Sequence, residues 1–255
     1  MSELLIETLV EDRSGSYLIE PLLNRMLQDL AMPHVIHMRP HKGLGHWPNP
    51  ANEFLSDNRL TAMDRARERK DPERLLLGPD NNMSRGRGLY HFLGAKLRAY
   101  EQICRNHPLI VLIVQDADRN PLQEVKNDLL RTIKRETQEL ITVIGIAVEE
   151  LEAWILADSV ALFRAYPEAD HEIYRRYKQD SIIGTWEFLA KVILGERRAS
   201  TLIAQGYPLS GKYKTDWALR IGPLLRPARM DSPSFRRFEA DLKSAIKKLQ
   251  RSYDE

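Results

Sequence analysis

The feature that most constrains the fold is an uninterrupted apolar run, Leu109–Val114, that ends in two aspartates. Most of its residues are β-branched, and His107-Pro108 stands immediately before it. A short continuous run of this kind is typical of a strand that is buried on both faces, as in a parallel sheet. Asp116 and Asp118 follow it. If the chain stays extended there, their side chains share one face of the strand.

The Asp116 and Asp118 pair has two interpretations. Open α/β sheets bind ligands outside the carboxyl ends of their strands. Two like charges on one side of a strand end favour a cation between them, and a hard divalent ion is the natural candidate. The alternative is an acidic turn that begins a helix, where the helix dipole stabilises carboxylates. The pair alone leaves both interpretations open.

Two further predicted strands also end in acids. The apolar segment Leu4–Val10 predicts a first strand, and Glu11 follows it. The segment 141–148 predicts another buried strand, which leads into a helix. The acids at this third strand end are Glu149, Glu150 and Glu152. The helix dipole explains the first two, but it explains Glu152 less well.

The helix that follows these acids is predicted to continue to about Tyr166, and it contains one unusual acid. Asp158 shares a helical face with Leu151, Ile155 and Leu162. A carboxylate on an apolar face is costly to bury alone. We therefore expect Asp158 to be partly buried and to have a partner.

Two lysine-containing segments are candidates for substrate binding. A short strand predicted at 35–38 leads into His41-Lys42-Gly43-Leu44-Gly45, a loop that could hold a phosphate with backbone N–H groups and Lys42. A plain surface turn is the alternative, because Gly-x-Gly alone is weakly specific. The segment 206–214 has no regular period and is predicted to be a loop. It contains Lys212 and Lys214.

The alternation of strands and helices predicts the α/β class, with a mostly parallel central sheet flanked by helices and a smaller C-terminal helical region. Residues 1–166 are predicted to form the α/β domain, with a polar insertion at about 49–88, and residues 167–255 the helical region. The first helix is predicted to begin at Glu20 or Pro21, since proline suits the first helical turn. The last helix is predicted to begin at Ser232-Pro233.

The composition limits the possible partners. The chain has 38 Lys and Arg residues against 36 Asp and Glu residues, a net charge of +2, so any nucleic-acid surface must be a local patch. Its single cysteine, Cys104, excludes an intrachain disulfide and a cysteine-based metal site. No apolar run reaches about 18 residues, and the N-terminus has no basic segment typical of a signal peptide. We expect a cytoplasmic protein with no membrane partner.

Seven short motifs, among them the acids that follow the three predicted strands, are spread through nearly the whole chain. They are Val10-Glu11-Asp12, His41-Lys42-Gly43-Leu44-Gly45, Asp116-Ala117-Asp118, Glu150-Leu151-Glu152-Ala153-Trp154, Asp180-Ser181-Ile182-Ile183-Gly184-Thr185-Trp186-Glu187, Lys214-Thr215-Asp216-Trp217-Ala218 and Ser232-Pro233-Ser234-Phe235. The order of the acids at the three strand ends resembles the Toprim domain, the metal-binding module of topoisomerases, primases and overcoming-lysogenization-defect nucleases. The seven motifs together resemble more closely a bacterial Toprim-like family of unknown function that is often found near phage-defence ATPases.

This resemblance implies a Toprim-like fold and Mg²⁺- or Mn²⁺-dependent cleavage of nucleic acid, DNA or RNA, in phage defence with a partner ATPase. It implies that Glu11 is a general base or a metal ligand and that Asp116 and Asp118 bind the main ion. Glu150 and Glu152 are expected to hold or orient a second ion. Carboxylate oxygens are the ligands that Mg²⁺ prefers in proteins.

The resemblance also assigns roles to the lysines. Lys214, with Lys212 as the substitute, is similar to the lysine that related nucleases bring to the scissile phosphate. His41 and Lys42 are expected to contact substrate. The chain departs from the family at one place, because many relatives have a Glu-Gly-x-x-Glu pattern after the first strand. Here Glu11 is followed by Asp12-Arg13-Ser14-Gly15, so one metal ligand is missing or is replaced by Asp12 or Ser14.

Three functions remain open at the level of sequence. The first is the metal-dependent nuclease. The second is a phosphatase of the haloacid-dehalogenase type, whose sites also begin with Asp-x-Asp after a buried strand. Those sites usually continue with Gly/Thr-Thr/Val, whereas Arg119-Asn120 follow here. The third is a non-catalytic binding or sensor module with a degenerate Toprim site.

Overall fold

A computed structural model describes residues 3–28, 30, 32–41 and 89–254 of the chain. Four strands form one parallel sheet in the order β2-β1-β3-β4. Their bounds are Leu4–Val10 for β1, His34–Pro40 for β2, Leu109–Asp116 for β3 and Ile141–Ala147 for β4. The predicted α/β class, with a parallel central sheet and flanking helices, is confirmed. The predicted insertion at 49–88 and residues 42–45 lie outside the described residues.

Helices cover both faces of the sheet, and most of the C-terminal part is helical. In chain order they are α1 Arg13–Leu27, α2 Leu89–Ile103, α3 Leu122–Glu136, α4 Glu152–Leu156, α5 Ser159–Ala165, α6 His171–Tyr174, α7 Thr185–Leu194, α8 Glu196–Gln205, α9 Leu209–Ile221 and α10 Pro233–Asp254. Two 3₁₀ turns, Gly222–Leu224 and Pro227–Arg229, connect α9 to the segment before α10. None of the described helices is both long and apolar enough to cross a membrane.

Strand β3 lies at the centre because it can bury side chains on both faces. Ile110, Leu112 and Val114 belong to a large core shared with α1 and the C-terminal helices. The alternate residues, Val111 and Ile113, belong to a second core beneath α2 and α3. This two-sided burial is what the continuous apolar run predicted.

The larger core joins the sheet directly to the C-terminal helices. The Trp154 ring stacks on Phe238 with ring centroids 5.5 Å apart, and its indole N–H donates to Ser234 Oγ at 2.9 Å. Gly145 in β4 allows this approach, since a Cβ there would lie 2.9 Å from the Phe238 ring. Helix α10 therefore packs on the same sheet whose strand ends carry the acids.

The predicted start of the first helix is wrong. The Asp12 side chain caps α1 by accepting from the Gly15 N–H at 2.7 Å, so the helix begins at Arg13 and Pro21 lies inside it. Proline cannot donate to the carbonyl one turn earlier, which belongs to Tyr17. The backbone of Gly222 packs against that carbonyl, where a Cβ would lie 2.5 Å from the oxygen. A tertiary contact thus accommodates the irregularity.

Two other predicted segments differ from the structure. The helix expected to continue to Tyr166 is divided into α4 and α5, because Asp158 interrupts it and caps α5 by accepting from the Ala161 N–H at 3.1 Å. The segment 206–214, predicted as a loop, enters helix α9 at Leu209. Its apolar period becomes visible only at Trp217 and beyond, where the buried residues lie.

Candidate metal and active site

The acids that follow β1, β3 and β4 meet at the carboxyl edge of the sheet. The Asp116 N–H donates to Glu11 Oε2 at 3.2 Å, and Asp116 Oδ1 accepts from the Leu151 N–H at 2.8 Å. These two bonds link the ends of three adjacent strands. The structure therefore brings Glu11, Asp116 and the start of α4, which carries Glu152, to one place.

Lys214 lies among these acids. Its Nζ is 3.2 Å from Glu150 Oε1 and 3.3 Å from Glu152 Oε2, and its side chain is 19% exposed. A cavity of about 10 Å³, which is room for a single water molecule, is lined by Lys214, Glu152, Asp116 and Asp12 among others. The lysine reaches this position from α9, a helix that packs against α1.

The acids at this edge carry more negative charge than one lysine balances. Burial, together with the charges of Asp118 and Asp12, raises the pKa of Glu11 to about 8. Burial and the charge of Glu11 raise the pKa of Asp116 well above its usual value, and burial raises the pKa of Glu152 to about 7. The charges of Glu152, Glu150 and Asp116 raise the pKa of Lys214, although burial opposes this. The cluster therefore favours an additional positive charge.

The acids after β4 have different tasks. Glu149 accepts from the backbone N–H groups of Gly184 and Thr185 at 3.0 and 2.9 Å and from Thr185 Oγ1 at 2.6 Å. It thereby caps α7, which is a structural role. Glu150 is shared, because its Oε2 accepts from the Trp186 N–H at 3.1 Å while its Oε1 contacts Lys214.

Asp118 is not placed by an extended strand, as the sequence argument assumed. Strand β3 ends at Asp116, and Asp118 has a left-handed backbone with φ of 50°. Its N–H donates to the Glu149 carbonyl at 2.8 Å. Asp118 is nevertheless close enough to Glu11 for its charge to raise the pKa of that carboxyl.

The predicted substrate-binding residues are less closely associated with the acids. His41 follows β2 at the same sheet edge, but it is only 2% exposed, and its backbone N–H donates to the Val10 carbonyl at 2.9 Å. Burial and the nearby charge of Lys96 lower the pKa of His41 to about 4. Lys212 is exposed on α9, and Lys42 lies outside the described residues. Lys214 is thus the predicted cation that the structure places in the site.

Asp12 was considered in the sequence analysis only as a possible replacement for a missing glutamate ligand. Asp12 caps α1, accepts from Ser14 Oγ at 2.7 Å, and contributes to the raised pKa values of Glu11 and Glu152. Asp12 and Ser14, the proposed replacements for a missing glutamate, are therefore bonded to each other beside the acids. The signal for this role was the position of Asp12 next to Glu11.

The donor set fits Mg²⁺ or Mn²⁺ in its chemistry. It consists of carboxylate oxygens, the hard ligands that these ions take, and the raised pKa values indicate that a cation would stabilise it. In the described part of the chain, however, no group of three or more acids, histidines or cysteines is already arranged to hold an ion. Asp116 would hold the ion, with Glu152 and Asp118 beside it. Glu11 lies next to Asp116, where it would serve as a further ligand or as a base, and Lys214 supplies a balancing charge.

The protein without divalent cations is expected to lose thermal stability as the pH rises from about 5 to 8. The folded-state pKa values of Glu11 and Glu152 lie above their usual value of 4.5, so the folded state binds more protons than the unfolded state in this window. Stability falls with pH wherever the folded state binds more protons. Melting temperatures in chelator across this range test the expectation. The fall should be shallower for Glu11→Gln, and equal slopes would contradict it.

Comparisons of the chain with protein-family models, with curated proteins and with solved structures found no match. The assignment of a function to this chain therefore depends on the geometry of the acidic site.

Proposed function

We propose that the protein is a Mg²⁺- or Mn²⁺-dependent nuclease with a Toprim-like site. The observation that carries this proposal is the meeting of acids from three adjacent parallel strand ends beside Lys214, a lysine with little exposure to solvent. The order of the motifs along the chain supports it. A partner ATPase and a role in phage defence belong to the proposal through the family resemblance alone.

In this proposal each residue has a distinct task. A bound divalent ion would polarise the phosphate and lower the pKa of a water molecule. Asp116 would hold this ion at the sheet edge, with Glu152 and Asp118 beside it, and the Leu151 N–H orients the Asp116 carboxylate. Glu11 accepts the proton of the attacking water, since its pKa near 8 gives a stronger base than an ordinary carboxylate. Lys214 stabilises the charge that develops on the phosphate oxygens.

A non-catalytic binding module is the second candidate, and one observation favours it. Lys214 already contacts both Glu150 and Glu152, so it could act as a permanent replacement for a metal ion. The haloacid-dehalogenase alternative has less support. Its sites usually continue with Gly/Thr-Thr/Val after the Asp-x-Asp, whereas Arg119-Asn120 follow Asp118 in this chain.

The decisive experiment incubates the protein with plasmid DNA and with total RNA, in Mg²⁺, in Mn²⁺ and in chelator. We expect cleavage of at least one substrate with metal and none in chelator. Asp116→Ala and Glu11→Ala should each lower the rate by about 10²-fold or more, as loss of transition-state stabilisation does. Glu124→Ala removes an exposed acid on α3 and should retain the wild-type rate.

Near-normal cleavage by the Asp116 and Glu11 variants in clean preparations would contradict the site assignment. A wild-type protein that is inert on both substrates, alone and with a partner encoded beside it, would favour the second candidate. Melting curves with and without Mn²⁺ distinguish a site that binds metal from one in which Lys214 permanently replaces the ion. A nuclease site should gain thermal stability from Mn²⁺, because a ligand that binds only the folded state stabilises it.

A further inference from the structure

Strand β4 stands at one edge of the sheet, and part of its backbone faces outward. No described strand pairs with its outer side. The Ala147 carbonyl accepts from the Ala117 N–H on the β3 side, at 3.0 Å. Because strand residues alternate in the direction of their N–H and C=O groups, Thr142 and Ile144 direct theirs to the outer edge. The edge therefore offers donors and acceptors to another strand.

A groove of about 430 Å³ lies along this edge between α3 and α10. Residues 140–144 line its floor, and all of them except Thr142 are apolar; Ala245 extends this surface. Its charged residues are Lys126, Asp241 and Lys248. The strand segment here is Ile-Thr-Val-Ile and contains neither proline nor charge, which makes the edge prone to pairing.

The charged residues of α10 beside the groove would match those of a second copy of the chain. Asp241 and Lys248 are seven residues apart on α10, which is about two helical turns, so they lie on the same side of the helix. In one chain the nearest recorded cation to Asp241 is Lys126, at the outer limit of 4.0 Å. A second copy of α10 running in the opposite direction would place its lysine opposite Asp241 and its aspartate opposite Lys248.

We propose that the edge of β4 docks a second copy of this chain. The two copies of residues 140–144 pair antiparallel about a two-fold axis, which joins two four-stranded sheets into one of eight strands. The same axis brings the two α10 helices side by side with opposite charges facing. Such an interface is isologous, as in most homodimers. The proposal is independent of the nuclease assignment.

The first test measures the mass of the protein in solution by light scattering or sedimentation over a wide range of concentration. We expect a concentration-dependent dimer. Asp241→Lys and Lys248→Asp should each weaken it by about tenfold or more, because each places like charges opposite one another. The double variant restores opposite charges and should restore the dimer. Lys247→Asp, an exposed change outside the groove, should leave the dimer intact.

The second test addresses the strand itself. Thr142→Pro removes an outward N–H that β3 does not use, and proline is tolerated at such edge positions. Thr142→Val keeps the N–H and a similar shape. We expect the proline variant to be a folded monomer and the valine variant a dimer. A wild-type protein that is monomeric at every concentration overturns the proposal, and so does a dimer that tolerates both the proline and the charge reversals.

Discussion

Replacement of Lys214 by methionine is expected to lower the free energy of unfolding by about 3–5 kcal/mol in the absence of divalent cations, the usual cost of removing one partner of a buried ion pair. The ammonium group contacts Glu150 and Glu152 at 3.2 and 3.3 Å, and Asp116 also raises its pKa. Methionine fills a similar volume, so the decrease in the free energy of unfolding comes from the lost charge and not from lost packing. The acids would remain together with no balancing cation from α9.

Denaturant titration in chelator at pH 8 measures this loss. Lys212→Met is the matched control, since Lys212 lies on the same helix but is exposed, and its loss should be within about 0.5 kcal/mol. Mn²⁺ should recover more stability in Lys214→Met than in the wild type, because the ion replaces the missing charge. Equal stability of the Lys214 and Lys212 variants would show that the acids do not need the lysine.

Replacement of Arg229 by methionine is expected to cost about 3 kcal/mol, at the low end for a buried pair because the arginine itself is partly exposed. Asp158 is 1% exposed, and its Oδ2 accepts from the Arg229 guanidinium at 2.8 Å and from the Arg226 N–H at 2.9 Å. It thereby ties the start of α5 to the segment after α9. Without Arg229 the carboxylate stays buried with only backbone donors.

Thermal or denaturant unfolding measures the effect of this change. Arg175→Met removes an exposed pair with Glu172 and should cost less than about 1 kcal/mol. Adding Asp158→Asn to Arg229→Met should recover part of the loss, since an amide is less costly to bury than an unpaired charge. An Arg229 variant that is no less stable than the Arg175 variant would contradict the importance of the pair.

The strands and the acids at their ends could be predicted from the sequence, because both depend on which residues are neighbours along the chain. β1 was predicted to the residue, and β3 and β4 to within two residues at their ends, since buried parallel strands need continuous apolar runs. Strand ends in a parallel sheet share one edge, so Glu11 and Asp116 could be placed together before any contact was known. The burial of Asp158 was also expected, from helical spacing. Asp158 is buried, although it caps α5 instead of lying within one continuous helix.

The partners of these acids were decided by tertiary structure. Lys214 belongs to a helix that the local pattern did not reveal, and it reaches Glu150 across 64 positions of sequence. Glu149 and Glu152 stand three residues apart, yet one caps α7 and the other contacts the lysine. Local sequence determines where a carboxylate enters the sheet edge. Which donor or cation it meets depends on how distant helices pack, because packing is set by the whole core rather than by neighbouring residues.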